Sequence, residues 1–193
     1  MEAIEDQLLE TERLRLRAPA LSDAARVTEF IGDWDVAKML ATVPHPYSLK
    51  DAHTWLGAHE ARRRAGEIFN CVIDLKGVEG VIGAIGLTGI RQIEGGKISE
   101  FGYWLAKPFW GKGIMTEAGR ALLRHAFQEL EFAGLKSGHY KENFRSGNVL
   151  KKLGFRYAGE GLKYCLARKA ETPHVDVVMT RAQWLDFAAK RAA

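Results

Sequence analysis

The segment Trp110-Gly111-Lys112-Gly113, followed by Ile114, Met115, Thr116 and Glu117, combines residue types that could do chemistry at a useful spacing. Two glycines one residue apart let the backbone turn tightly and let a ligand come close to it. A helix opening directly after them exposes first-turn N–H groups without intrahelical partners and the positive end of its dipole. Such a terminus binds phosphate oxygens, and Lys112 adds a cation. The spacing is not a Walker P-loop, because Gly113 follows Lys112 and no glycine stands five residues before Gly111. It is not the dinucleotide fingerprint either, because Thr116 stands where the third glycine would be. On residues alone, the loop serves equally as a tight strand-to-helix turn.

The elements that must position this loop are a strand before it and a helix after it. Glu100, Phe101, Gly102, Tyr103, Trp104 and Leu105 alternate in a way that suits a half-buried strand, and Pro108, which cannot donate to a ladder, ends it. Beyond Glu117, the spacing of Ala118, Leu122, Leu123, Ala126 and Phe127 predicts a helix. A second stretch, Asn143-Phe-Arg-Ser146-Gly-Asn-Val149-Leu-Lys-Lys-Leu153-Gly154-Phe155, reads as a helix with Asn143 as its cap and Gly154 as its stop.

Together these stretches resemble the GNAT superfamily of N-acetyltransferases, and in particular its ribosomal-protein alanine N-acetyltransferase branch. The branch writes its acyl-CoA loop as Tyr-Trp-Gly-Lys-Gly-x-Ala-Thr-Glu-Ala, matched here by 109–118, with Trp110 at the family's Gln/Arg site and Met115 replacing the final small residue. The second stretch is similar to its Asn-x-x-Ser-x-x-Val-Leu-x-Lys-Leu-Gly-Phe. The likeness extends from Thr11 to about Trp184. It implies an α/β fold with a mixed, mostly antiparallel central sheet flanked by helices and a V-shaped splay between central strands. It also implies acetyl-CoA as co-substrate, a primary amine as acceptor (a protein N-terminus or a small molecule), and direct attack.

Acetyl transfer from a thioester to an amine needs a neutral amine, a polarised carbonyl and a proton for the departing thiolate. The resemblance implies that Trp110, Gly111, Lys112, Gly113, Met115 and Thr116 hold the diphosphate, that a backbone N–H near Leu105 polarises the carbonyl and that Asn143 binds the pantetheine region. Glu100 is the expected general base, directly or through water; as a plain strand carboxylate it would instead pair with a basic residue. Ser146 matches the serine proposed as acid, although a hydroxyl there can also bond a carbonyl of its own helix. The tyrosine that many relatives carry in this helix is Leu150 here, and the late glutamate of the branch is missing, with Glu160 a weak substitute. These departures leave open a noncatalytic acyl-CoA-binding regulatory module, and nothing in the sequence discriminates against another acyl-CoA donor. Glu117, in the first turn, reads as structural.

The rest of the chain is consistent with one GNAT domain over 11–184, an N-terminal extension over 1–10 and a C-terminal helix over 181–193. With 193 residues, 47% hydrophobic and 27% charged, it can bury a sizeable core. Its acidic start does not read as a secretory signal, and no stretch approaches a membrane span. Two cysteines without metal spacing point to reduced thiols, and the expected setting is cytoplasmic, as monomer or homodimer. A net charge of +4 is too mild for a nucleic-acid partner and suits an anionic co-substrate. The six histidines show no two-His metal spacing and read as surface or satisfied core groups, so no metal is expected.

Expected elements, in order, are a strand through Leu14 and Leu16 and a helix capped by Ser22 or Asp23 that carries Val27 and Ile31. A short helix follows over 36–40, then a capping box from Ser48 to Asp51 opening a helix through Ala52, Leu56, His59 and Ala61. Trp34, Tyr47 and Trp55 are candidates for the acceptor wall, and Arg62-Arg63-Arg64 reads as a solvated helix end. Strands are expected over 67–75, 81–87, 135–140, 155–159, 163–168 and 175–180, with the runs around 67–105 forming an antiparallel meander.

Overall fold

A computed structural model describes residues 8–192, so most of the N-terminal extension and the last residue of the chain lie outside the described residues. Two short strands, β1 (Leu9–Glu10) and β2 (Leu14–Arg17), lead into a single 3₁₀ turn and then α1 (Ala24–Ile31), α2 (Trp34–Ala37), α3 (Leu49–Gly57) and α4 (His59–Arg64). A meander of β3 (Ile68–Leu75), β4 (Val81–Ile93) and β5 (Gly96–Leu105) follows. The chain continues through α5 (Ile114–Arg124), β6 (Phe132–Tyr140), α6 (Phe144–Leu153), β7 (Arg156–Cys165), β8 (Ala170–Thr180) and α7 (Arg181–Ala192). The eight strands form one sheet in the order β1-β2-β3-β4-β5-β6-β8-β7. Every pairing is antiparallel except β5 with β6, as the mixed sheet required.

Alternation along the strands sends side chains to two cores. Val72, Ala84 and Trp104 pack beneath Ala24, Val27 and Ile31 of α1 and Ala52 and Leu56 of α3. Phe69, Leu87 and Phe101 face the opposite way and join Ile114, Ala118 and Leu122 of α5, Leu150 and Leu153 of α6 and Trp184 of α7. Among the described residues, no helix is long and apolar enough to cross a membrane.

Local departures from the sequence expectations have physical causes. Asp23 does not cap α1 with its side chain. Its carboxylate instead accepts from the Ala20 N–H at 2.8 Å and pairs with Arg17, which also binds Asp74. Ser48 and Asp51 do form the capping box, but the helix they open stops at Gly57, a weak helix former, and restarts as α4 at His59. The strands expected over 155–159 and 163–168 are one strand, since Glu160, Gly161 and Leu162 stay paired with β8 and only the register shift between Tyr157 and Gly159 interrupts the ladder. Arg62 and Arg64, at the end of α4, pair with Glu67 and Glu60.

Candidate active site

Gly111 and Gly113 both adopt left-handed backbone, with φ of 76° and 75°, a conformation that excludes most L residues. Gly113 is the N-cap of α5 and makes no side-chain cap, so the N–H groups of the first turn point out of the helix into the cleft mouth. The side chain of Met115 is 5% exposed and joins the core with Ile114 and Ala118. Its replacement of a small residue therefore leaves the outer surface of the turn unobstructed. Glu117 fixes the loop from behind. Its carboxylate accepts from the Thr11 hydroxyl at 2.6 Å, from the Arg13 N–H and from the Arg13 side chain, while Arg13 also donates to the Lys112 carbonyl at 3.1 Å. Burial alone would raise the Glu117 pKa; the Thr11 and Arg13 bonds outweigh it and hold the group below its ordinary range. The structural reading of Glu117 is thus what the bonds support. The rim is cationic and aromatic, with Arg145 over Trp110 at 5.1 Å and Lys112 over Phe109 at 5.6 Å.

From this loop a cleft of about 1280 Å³ runs along the central strands. Pairing between β5 and β6 stops at Glu100 and Lys136, and beyond that point the two strands splay. Ser137 stitches the base of the opening by donating to the Phe101 carbonyl at 2.8 Å. The Ala106 N–H donates to Ile82 of β4, so by alternation the Leu105 peptide groups face the opposite way, into the splay. Trp110 fixes that orientation, its indole N–H donating to the Leu105 carbonyl at 2.6 Å. Asn143 caps α6 by accepting from the Ser146 N–H at 3.1 Å and lines the cleft. Ser146 meets an unexpected partner, the Tyr103 hydroxyl of β5, at 2.8 Å from its own hydroxyl and 3.1 Å from its carbonyl. Burial pushes the Tyr103 pKa well up against the opposing effect of the Ser146 bond, so the phenol stays protonated. Leu150 is buried in the core, and the phenol that meets Ser146 is Tyr103 of β5.

The opposite face of the sheet forms the second wall. Asn70, Gly86 and Gly102 lie side by side on β3, β4 and β5; the Asn70 side chain lies over Gly86, while the space over Gly102 is open. One register step away is Glu100, opposite Thr88 on β4; its side chain is 58% exposed and paired with Lys163 of β7 at 3.2 Å. Tyr47 and Trp55 line this wall, whereas Trp34 packs edge-on against His45 and does not line the cleft. Asp35 of α2 is held down to about 2 by Lys107 and Lys38, tying α2 to the loop after β5. Glu160 pairs with Lys141 at 2.8 Å and does not line the cleft.

Two histidines leave the roles expected of them, because His139 and His174 line the cleft. His59 is buried, but both of its ring nitrogens lack a partner among the described residues; burial, then Arg63, lowers its pKa. No local sequence signal marked Tyr103 or His174, since each acquires its setting only through strand pairing.

Comparison with known proteins agrees with this geometry. Residues 13–156 match the acetyltransferase (GNAT) domain family. The chain is 30% identical over 173 residues to the uncharacterized N-acetyltransferase p20 of Bacillus licheniformis, covering 90% of this chain and 94% of that one. Its fold superposes with a TM-score of 0.81 on a ribosomal-protein-S5-alanine acetyltransferase from Vibrio fischeri, at 22% identity over 93% of this chain and 99% of that one. A TM-score of 0.76, at 18% identity over 88% of this chain and 93% of that one, relates it to the microcin C7 self-immunity acetyltransferase MccE, solved in complex with acetyl-CoA and AMP. With a phosphate-suited loop at one end of its cleft, a splayed strand pair along it and a family match over most of its length, the chain belongs to the GNAT acetyltransferases and is an N-acetyltransferase.

Proposed function

We propose that the enzyme takes its acyl group from acetyl-CoA and delivers it to a primary amine by direct attack, the acceptor being a protein N-terminus. The observation that carries this reading is the division of the cleft by the splay, with the glycine loop and Ser146 on the side of α5 and α6 and Glu100 on the side of α1 and α3. The residues fit the co-substrate. Two left-handed glycines bring the backbone N–H groups of Gly113, Met115 and Thr116 toward a diphosphate, Lys112 and Arg145 supply cations, and Trp110 flanks the loop. Asn143 keeps its amide N–H for the pantetheine arm, and the Leu105 N–H, turned into the splay, is placed to polarise a carbonyl.

When bound, acetyl-CoA supplies the activated thioester. Ser146, backed by the protonated Tyr103, hydrogen-bonds the sulfur and hands it a proton, which solvent replaces. Glu100, with Lys163 fixing its carboxylate, receives a proton from the amine directly or through water. A protein acceptor is supported by the exposed Gly102, over which an extended chain meets no side chain, and by the S5-alanine acetyltransferase neighbour.

The test is thiol release from acetyl-CoA across a panel of amines and N-terminal peptides, with CoA binding followed by calorimetry. Turnover on peptides that drops in Glu100→Gln and Ser146→Ala, with CoA affinity kept, is the expected result. CoA binding without turnover on any acceptor would overturn the enzymatic assignment to this cleft.

A further inference from the structure

Two protons must leave the acceptor nitrogen, one to turn an ammonium into a nucleophile and one after the N–C bond forms, and Glu100 accounts for one of them. A second basic group stands on the same face. His174 of β8 lies opposite Tyr140 of β6 and Gly161 of β7, and its ring lies over Gly138, where an added Cβ would sit 2.2 Å from the imidazole Cε1. Glycine at 138 is thus what allows the ring to lie flat against the strand bordering the splay. Nδ1 faces the Asp176 carboxylate at 3.2 Å, and Tyr140 packs edge-on against the ring at 5.8 Å. The side chain is only 9% exposed, lines the cleft, and its Nε2 has no hydrogen-bond partner among the described residues. A carboxylate 3.2 Å from one nitrogen of a cleft-lining ring whose other nitrogen makes no hydrogen bond suits the imidazole to act as a proton acceptor.

We propose that His174, oriented by Asp176, takes the first proton from the acceptor ammonium at Nε2. This inference rests on the acetyl-transfer reading above. The ammonium gives one proton to Nε2; the neutral amine nitrogen bonds to the thioester carbonyl carbon as the C–S bond breaks. The second amine proton leaves through Glu100, and the thiolate is protonated from the Ser146 side. The products are the amide and free thiol, with the imidazolium proton passing to solvent. The charged and titratable groups facing the ring support a neutral resting state. Burial lowers its pKa first, followed by Lys163 of β7 and His139 of β6, and these outweigh Asp176. Lys163 also holds Glu100, so the two proton acceptors share one cation between them.

The experiment compares two peptides identical except at the terminus, one an aliphatic amine and the other a hydrazide nitrogen that is already neutral at pH 7. With the amine, His174→Gln is expected to lower kcat/KM about 100-fold with CoA affinity unchanged, and to move the acid limb of the pH profile up to the ionisation of the amine itself. With the hydrazide the loss shrinks to less than about tenfold, whereas Glu100→Gln loses comparably on both. Equal losses on both peptides for His174→Gln, or an acid limb left where the wild type has it, would overturn the proposal. Asp176→Asn, on a side chain that is 60% exposed, guards against misfolding and is expected to displace the same limb. NMR titration of the imidazole reads the site independently of any acceptor. The expected result is a neutral, Nδ1-protonated ring at pH 7 whose tautomer changes in Asp176→Asn, and a ring indifferent to that change counts against the proposal. Absence of turnover by the wild type with either peptide, alongside that NMR signature, would fault the acetyl-transfer reading and leave the dyad standing.

Discussion

The two sides of the cleft are built from different materials. The loop side is largely backbone: left-handed glycines, a helix terminus and a carbonyl locked by Trp110, with side chains such as Glu117 and Met115 acting from behind. The side proposed to take the acceptor relies mainly on side chains, with Glu100, Lys163, His174 and Asp176 drawn from three strands around the bare Gly102 and Gly138. A site made of backbone tolerates many residues but few conformations. A site made of side chains tolerates small shifts of backbone but few substitutions. The two sides should therefore fail differently.

The largest effect is expected where a backbone feature serves the acceptor side. Gly138→Ala sets a Cβ 2.2 Å from the His174 ring and 2.6 Å from the Val175 carbonyl, so that ring and β8 must both give way, and should lower turnover on an amine acceptor about 100-fold, with CoA affinity within twofold of wild type by calorimetry. An equal loss of CoA affinity would mean that the two sides are not separable. Gly113→Val tests the loop side; holding a β-branched residue at φ 75° costs about 1–2 kcal/mol, enough to weaken CoA binding about 5- to 30-fold. Its effect on the His174 titration should be nil.

Glu117→Gln should cost about 1–3 kcal/mol of stability, measured by urea denaturation, because three donors lose a charged acceptor. The sign of its pH dependence follows from a folded pKa held below the unfolded one. The contribution is present above the ordinary glutamate range and is lost as pH falls through the depressed folded value, so wild type and variant should converge in acid. Ser48→Ala removes the capping-box hydroxyl of α3, beside Tyr47 of the acceptor wall, and should cost about 1 kcal/mol of stability with CoA affinity unchanged.

The same contrast explains what could be read from the sequence. The glycine loop and the Asn143–Phe155 stretch are contiguous, and helix ends and left-handed turns leave local residue signatures; α6 spans the residues expected of it. The meander was legible for the same reason, since alternation and the Gly95-Gly96 turn lie next to one another in the chain. The acceptor side is assembled by register. Tyr103 meets Ser146 across 43 residues and Lys163 meets Glu100 across 63, so no spacing reports either pair. His174 looked like any other strand histidine because its meaning lies in Gly138 on the neighbouring strand. The merging of two expected strands into β7 has a similar origin, as pairing with β8 overrides the local preference of Gly159 and Gly161.

The most direct test of a backbone-built loop opposite a side-chain-built acceptor wall is calorimetric titration of CoA into wild-type, Gly113→Val and Glu100→Gln proteins. The account predicts binding by wild type and by Glu100→Gln with the same affinity, and a loss of about 5- to 30-fold in Gly113→Val. Undiminished binding by Gly113→Val, or an equal loss in Glu100→Gln, would contradict it.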